Sequence, residues 1–229
     1  MSAHLHKQIT KLKKMIVDLG DEVDSAVQNA IAAVHNRDVP LARRVIAGDE
    51  RIDLAEVEIE EECLHALALH QPVALDLRYI VAVLKINNDI ERIGDLAVNV
   101  ADQAIFLAAA PPVTLPFDLE GMGEGVCDML QRARIALLEV DVKQAERVRA
   151  DDDRIDAIHR DMYQRVEHAV KSDPSHGQQY IHLLSVSRNL ERIADHAVNI
   201  AEDVLYMARG EIFRHRPPGI DKPTNTQAR

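Results

Sequence analysis

The chain has no tryptophan, three phenylalanines and four tyrosines, so aromatic residues make up only 3% of its 229 positions. A β-sandwich or β-barrel core draws heavily on aromatic and β-branched side chains, and that supply is missing here. Two cysteines, Cys63 and Cys127, form no CxxC pair and no disulfide framework. A reducing compartment, the cytoplasm, is the simpler expectation. Positive charge is also scarce, with 27 Lys and Arg against 38 Asp and Glu, for a net charge of −11. Phosphate-backbone binding needs clustered cations, so nucleic acid is excluded as the main partner. The longest apolar run, "AIFLAAAPPV", is too short and too proline-broken to cross a bilayer. The N-terminal "MSAHLHKQITKLKKMIVDLG" is basic but lacks an apolar core of signal-peptide length. A soluble protein is expected, free to dock peripherally on a membrane complex.

What the sequence does contain is helical rhythm. Ile9, Leu12, Ile16, Leu19, Val23, Ala26, Ala30 and Ala33 are spaced three and four apart, the apolar stripe of a helix packed lengthwise against others. Val83, Ile86, Ile90, Ile93, Ala97 and Val100 repeat it, as do Leu183, Val186, Leu190, Ile193, Ala197 and Ile200. No stretch of comparable length alternates with period two. The spacing predicts six helices, near 5–36, 38–69, 73–109, 119–138, 141–171 and 177–210. Asp38 with Pro40 marks one start, and "HQPV" around Pro72 separates two helices. "AAAPPVTLPFD" reads as a linker, and the polar, proline-containing end of the chain as a disordered tail.

The two sides of that linker match. "RDVPLARRVIAGDERID" (37–53) aligns with "VDVKQAERVRADDDRID" (140–156) at an offset of 103, with ten of the seventeen positions identical. "NNDIERIGDLAVN" (87–99) aligns with "SRNLERIADHAVN" (187–199) at an offset of 100. A period near one hundred is too long for a solenoid unit and fits a duplicated domain. The expected fold is all-α, two tandem three-helix bundles with up-down-up topology. Their expected limits are 1–110 and 119–212, with 111–118 as linker and 213–229 as tail.

The repeats are acidic where they match. Glu91, Asp95 and Asn99 fall on one stripe beside the buried face of their helix, and Glu191, Asp195 and Asn199 repeat it. Asp49 and Asp53, mirrored by Asp152 and Asp156, form a second i,i+4 pair on the preceding helix. Like charges at that spacing repel by a few tenths of a kcal/mol, so helix stability alone does not select them. Two readings stand: solvated helix faces, or hard oxygen donors for Mg²⁺, Mn²⁺, Ca²⁺ or iron. Arg51, Arg92, Arg154 and Arg192 beside the carboxylates are expected to offset the repulsion by ion pairing. His159 stands where the first repeat has Glu56 and is a further candidate. Glu62 and His65 fit one Glu-x-x-His motif, but a di-iron bundle needs two and no second is present. There is no phosphate-binding glycine loop and no nucleophile elbow, so no catalytic residues are expected.

The stretches 71–101 and 187–211, with their shared Glu-Arg-Ile-x-Asp-x-Ala-x-Asn pattern, closely resemble the signatures of the PhoU family of phosphate-signalling regulators. The resemblance covers nearly the whole chain. It implies metal ions (Mg, Mn, Zn or Fe) held by Asp49, Asp53, Glu91 and Asp95 in one half and by Asp152, Asp156, Glu191 and Asp195 in the other. Asn99 and Asn199 are the implied neighbours. It further implies a cytoplasmic homodimer acting with a phosphate ABC transporter ATPase and a sensor histidine kinase. The alternative is a metal-dependent helical enzyme or metal-storage scaffold. One departure stands out: the second repeat replaces the "PVALDLR" lead-in with "DPSHGQQYIH", so the halves are expected to meet different partners.

Overall fold

In the computed structural model, which describes residues 3–114 and 118–211, the chain forms six long α-helices and one 3-10 turn. They are α1 (Ala3–Asn36), α2 (Val39–His70), α3 (Ala74–Ala109), α4 (Leu119–Glu139), α5 (Val142–Ser172) and α6 (Gly177–Arg209). The short turn Pro174–His176 lies between α5 and α6. No strand occurs among the described residues. The expected tail over 213–229 lies outside them, as do positions 115–117 of the linker.

The helix ends are set by local chemistry that the duplication copied. Arg37 and Val140, equivalent at an offset of 103, both take left-handed backbone, with φ of 57° and 51°. The following amides, of Asp38 and Asp141, reach back to Ala33 and Ala136 carbonyls at 3.0 and 2.9 Å, closing α1 and α4 in the same way. The same two aspartates then cap the next helices. Asp38 Oδ1 accepts from the Leu41 amide at 2.9 Å, and Asp141 Oδ1 from that of Lys143 at 2.8 Å. Proline at the first turn of α2 adds a preset φ where no amide partner is needed.

Burial follows the same offsets. On α2, Ala42, Val45, Ile52, Ile59 and Cys63 are buried, and so are their counterparts Ala145, Val148, Ile155, Met162 and Val166 on α5. On α3, Ile80, Val83, Ile86, Ile90, Ile93 and Ala97 match buried residues of α6 at an offset of 100. The two halves are thus one three-helix bundle used twice. They differ in that α1 has 34 residues and α4 has 21, so Ala3–Met15 has no counterpart in the described second half.

The bundles share their core. One hydrophobic cluster runs through both, and α3 packs as extensively on α6 as on its own bundle partners. The α3–α6 pairing is antiparallel. Lys85 meets Asp203, Asp89 meets His196, and Gln103 meets His182, so partners on α6 fall as positions on α3 rise. The pairing is centred near Gly94 and Ile193, nearly the same place in both copies of the motif. Between α1 and α4, Gly20 lies against Arg134 and Gly123 against Ile31, so this pair is antiparallel too, and Arg134 reaches Asp21 and Asp24, the latter at 3.1 Å. Two antiparallel contacts between equivalent helices describe an internal two-fold relation.

Candidate functional site

Helices α2 and α3 run antiparallel, which brings the two acidic stripes of the first half side by side as a ladder. Asp49 lies against Gly94. A Cβ at Gly94 would stand 3.2 Å from Ile52 Cγ2 and 3.7 Å from Asp49 Oδ1, so its absence lets the helices close up beside Asp95. Asp53 and Glu91 form the next rung, near enough for Asp53 to help raise the Glu91 carboxyl. The last rung is Asn87, whose Nδ2 donates to the Glu56 carbonyl at 2.9 Å and to Glu56 Oε1 at 3.2 Å. The second half repeats the order: Asp152 beside Asp195, Asp156 beside Glu191, and His159 with Ser187, Nδ1 to Oγ 2.9 Å.

Electrostatics show what the ladder lacks. Burial, then Asp53 and Asp95, push the Asp49 carboxyl above its ordinary range. Burial, then Asp95, raise Glu91, with Asp53 and Glu56 adding to the effect. In the second half, burial, then Asp195, Asp156, Asp153 and Glu191, push Asp152 up to about 6. Glu191 and Asp195 are raised by burial first and by Asp156 among the neighbours. Raised values mean that the charged forms are short of compensating donors or cations. Hydrogen bonding agrees. Asp49 Oδ1, Asn87 Oδ1 and Glu91 Oε2 are buried acceptors without a hydrogen bond among the described residues. Arg92 Nε lies 3.4 Å from that glutamate oxygen, while its Nη1 pairs with Asp95 at 3.0 Å. Buried acceptors left unmet cost on the order of 1–3 kcal/mol each.

The donor chemistry therefore fits a hard divalent cation, since the orphaned atoms are all oxygens. No three His, Cys, Asp or Glu side chains among the described residues already converge on a metal position. The carboxylates are strung along the ladder. The remaining expected site residues divide. Asn99 is exposed, whereas Asn199 turns toward the other half and donates to Asp89 Oδ1 at 3.2 Å. Arg92 offsets its neighbours as expected, but Arg51 pairs with Glu22 of α1 at 2.6 Å. His159 is committed to Ser187, and burial lowers its pKa, favouring neutral imidazole.

Sequence reasoning passed over Asn87, although the signal was available. It lies one turn before Glu91, so extending the i,i+4 stripe backwards reaches it. Asp89 and His196 gave no such signal, because their contact crosses between the halves.

Comparison with known proteins agrees with the duplicated fold. The PhoU domain matches twice, over residues 16–104 and 119–204. A protein of Caulobacter vibrioides named phosphate-specific transport system accessory protein PhoU homolog is 37% identical over 96% of this chain and 93% of its own length. One of the same name from Aquifex aeolicus is 38% identical over 93% of this chain and 96% of its own. The crystal structure of PhoU from Pseudomonas aeruginosa superposes with a TM-score of 0.87 at 32% identity, covering 90% of this chain and 99% of that one. With the PhoU domain matched over both halves, the chain belongs to the PhoU family.

Proposed function

We propose that this chain is a non-catalytic regulator of phosphate uptake and of phosphate-starvation signalling. On this reading it works in the cytoplasm as a homodimer and couples the ATPase of a phosphate ABC transporter to a sensor histidine kinase. Residues 1–110 and 119–212 are its two working units. The observation that carries the reading is the full-length likeness, at 37 and 38% identity, to proteins named as accessories of a phosphate-specific transport system.

Chemistry supports the absence of catalysis. Burial pushes the Cys63 thiol up to about 12 and the Cys127 thiol up to about 11, so neither forms a ready nucleophile. No helix among the described residues is long and apolar enough to cross a membrane, which suits peripheral association with a membrane complex.

Metal ions belong to the same proposal. Asp49, Asp53, Glu91 and Asp95 would hold one, with Asn87 and Asn99 beside them. Asp152, Asp156, Glu191 and Asp195 would hold the other. Bound metal supplies positive charge that offsets the mutual repulsion of these carboxylates. The side chains themselves then tie α2 to α3 and α5 to α6.

Deleting the gene is expected to leave starvation genes on in ample phosphate, read as alkaline phosphatase activity. Normal repression in that strain would falsify the regulatory reading. The purified protein is expected to retain the transporter ATPase in a pull-down.

A further inference from the structure

Seven of the ten large apolar side chains exposed among the described residues fall in one stretch, from Leu54 to Leu77. Leu54 (65% exposed), Val57 (50%) and Leu64 (51%) share an arc of about 80° on the outer face of α2. The face continues past Ala68 to Leu69 and Val73 at the turn into α3, which are 75% and 74% exposed. Scattered exposed apolar residues are ordinary, but several on one face of one helix, with only Glu61 and Ala68 between them, are not.

The duplication supplies an internal control. Because α2 and α5 bury the same positions at an offset of 103, the outer faces can be compared in the same register. Leu54, Val57, Leu64 and Leu69 correspond to Ala157, Arg160, Glu167 and Ser172, all exposed. The bundle therefore folds without a large apolar side chain at any of these four positions. The apolar character of this face in the first half serves something other than folding.

The flanks indicate what covers it. Asp53 and Glu60 border the line on one side, Glu58 borders the other, and Glu61 sits within it, all exposed. No lysine or arginine occurs between Arg51 and Arg78. We propose that the outer face of α2 is a docking surface for a cationic amphipathic helix of a partner protein. Leucine-type anchors on that helix would lie along Leu54, Val57 and Leu64, and lysine or arginine on both its edges would meet the carboxylates. From Leu54 to Leu69 the surface is about 22 Å long, room for roughly four helical turns. The proposal goes beyond the phosphate reading and does not depend on it.

The test uses the full chain and a synthetic 16-residue helical peptide carrying leucines at i, i+3, i+7 and i+10, flanked by lysines. A scrambled peptide of equal charge is the control. The variant Leu54→Ala/Val57→Arg/Leu64→Glu transplants the second half's residues onto exposed positions, with circular dichroism checking its fold. Fluorescence anisotropy is expected to show binding to the wild type that weakens at least about tenfold in the variant. The scrambled peptide should bind at least about tenfold more weakly than the amphipathic one. Equal binding of the two peptides, or equal binding to both proteins, overturns the proposal in favour of unspecific charge attraction. Two further results also overturn it. One is a wild-type dimer that becomes a monomer in the variant, which assigns the face to a second copy. The other is flotation with phosphatidylglycerol vesicles that the variant loses, which assigns it to a membrane.

Discussion

Asp89 of α3 and His196 of α6 meet across the boundary between the halves, Oδ1 to Nδ1 2.8 Å, and Asn199 donates to the same carboxylate oxygen. Asp89 is only 7% exposed, so this polar contact sits where the two bundles share their core. Replacing it by alanine strands two donors. Asp89→Ala is expected to cost about 1–3 kcal/mol, read as a lower midpoint in urea. An unchanged midpoint would show that water replaces the contact without loss.

The acidic ladders predict a metal-dependent stability. Asp95→Asn with Asp195→Asn keeps side-chain shape and removes one charge from each ladder. Divalent-metal affinity should fall, and the rise in Tm on adding Mg²⁺, Mn²⁺, Zn²⁺ or Fe²⁺ should shrink, because ligand stabilisation follows RT ln(1 + [L]/Kd). Calorimetric titration checks this. Identical isotherms for wild type and variant would leave the ladders as solvated faces, with slight stabilisation of the metal-free protein as the only effect.

Asp152 gives the metal-free protein a pH dependence of definite sign. Its carboxyl is raised in the fold from 3.8 to about 6, so between those values the native state binds more protons than the unfolded chain. Stability therefore falls as pH rises through that window and levels off above it. Asp152→Asn should remove part of this slope and raise Tm more at about pH 7.5 than at about pH 4. Thermal scans across the range, with chelator present, test it. A mutant slope equal to wild type would show that Asp152 is not the group responsible.

Gly210 ends α6 with φ of +75°, and a Cβ there would stand 3.1 Å from the Arg78 guanidinium carbon and closer still to its Nη1. Gly210→Ala should cost about 1 kcal/mol or more from the backbone alone. The Arg78→Ala background should recover only the steric share, measurable as a double-mutant cycle.

Much of this architecture could be read in the chain because the helices are long and strongly periodic. All six helices start and end within two residues of the expected limits, and Asp38 marked its own cap. The carboxylate ladder was legible as two stripes, since each lies on a single helix with an i,i+4 signature. Its lowest rung was legible only by extending the stripe one turn back from Glu91, because Asn87 is neutral and does not stand out among the carboxylates. The contact between halves was beyond reach for another reason. Periodicity identifies a buried face but not what covers it, and Ile90 and Ile93 look alike whether they face their own bundle or the next. Together with Ile16, Val23, Leu130, Leu137 and Ile200 they line a cavity of about 30 Å³ at that junction.

The antiparallel pairing of α3 with α6 has a thermodynamic consequence. Equivalent surfaces meeting about a two-fold relation are what a dimer of identical three-helix chains would present. The connection between Ala109 and Leu119 makes that association unimolecular, fixing the partner at a high effective concentration however dilute the protein becomes. Joining of the halves is thereby freed from mass action. The tether also frees each copy from having to complement itself. One mutation in a symmetric dimer strikes both subunits, whereas here Glu56 can remain a carboxylate while its counterpart becomes His159, and Leu64 can remain apolar while its counterpart becomes Glu167. The chain keeps a dimer's geometry and gains two faces that can specialise separately.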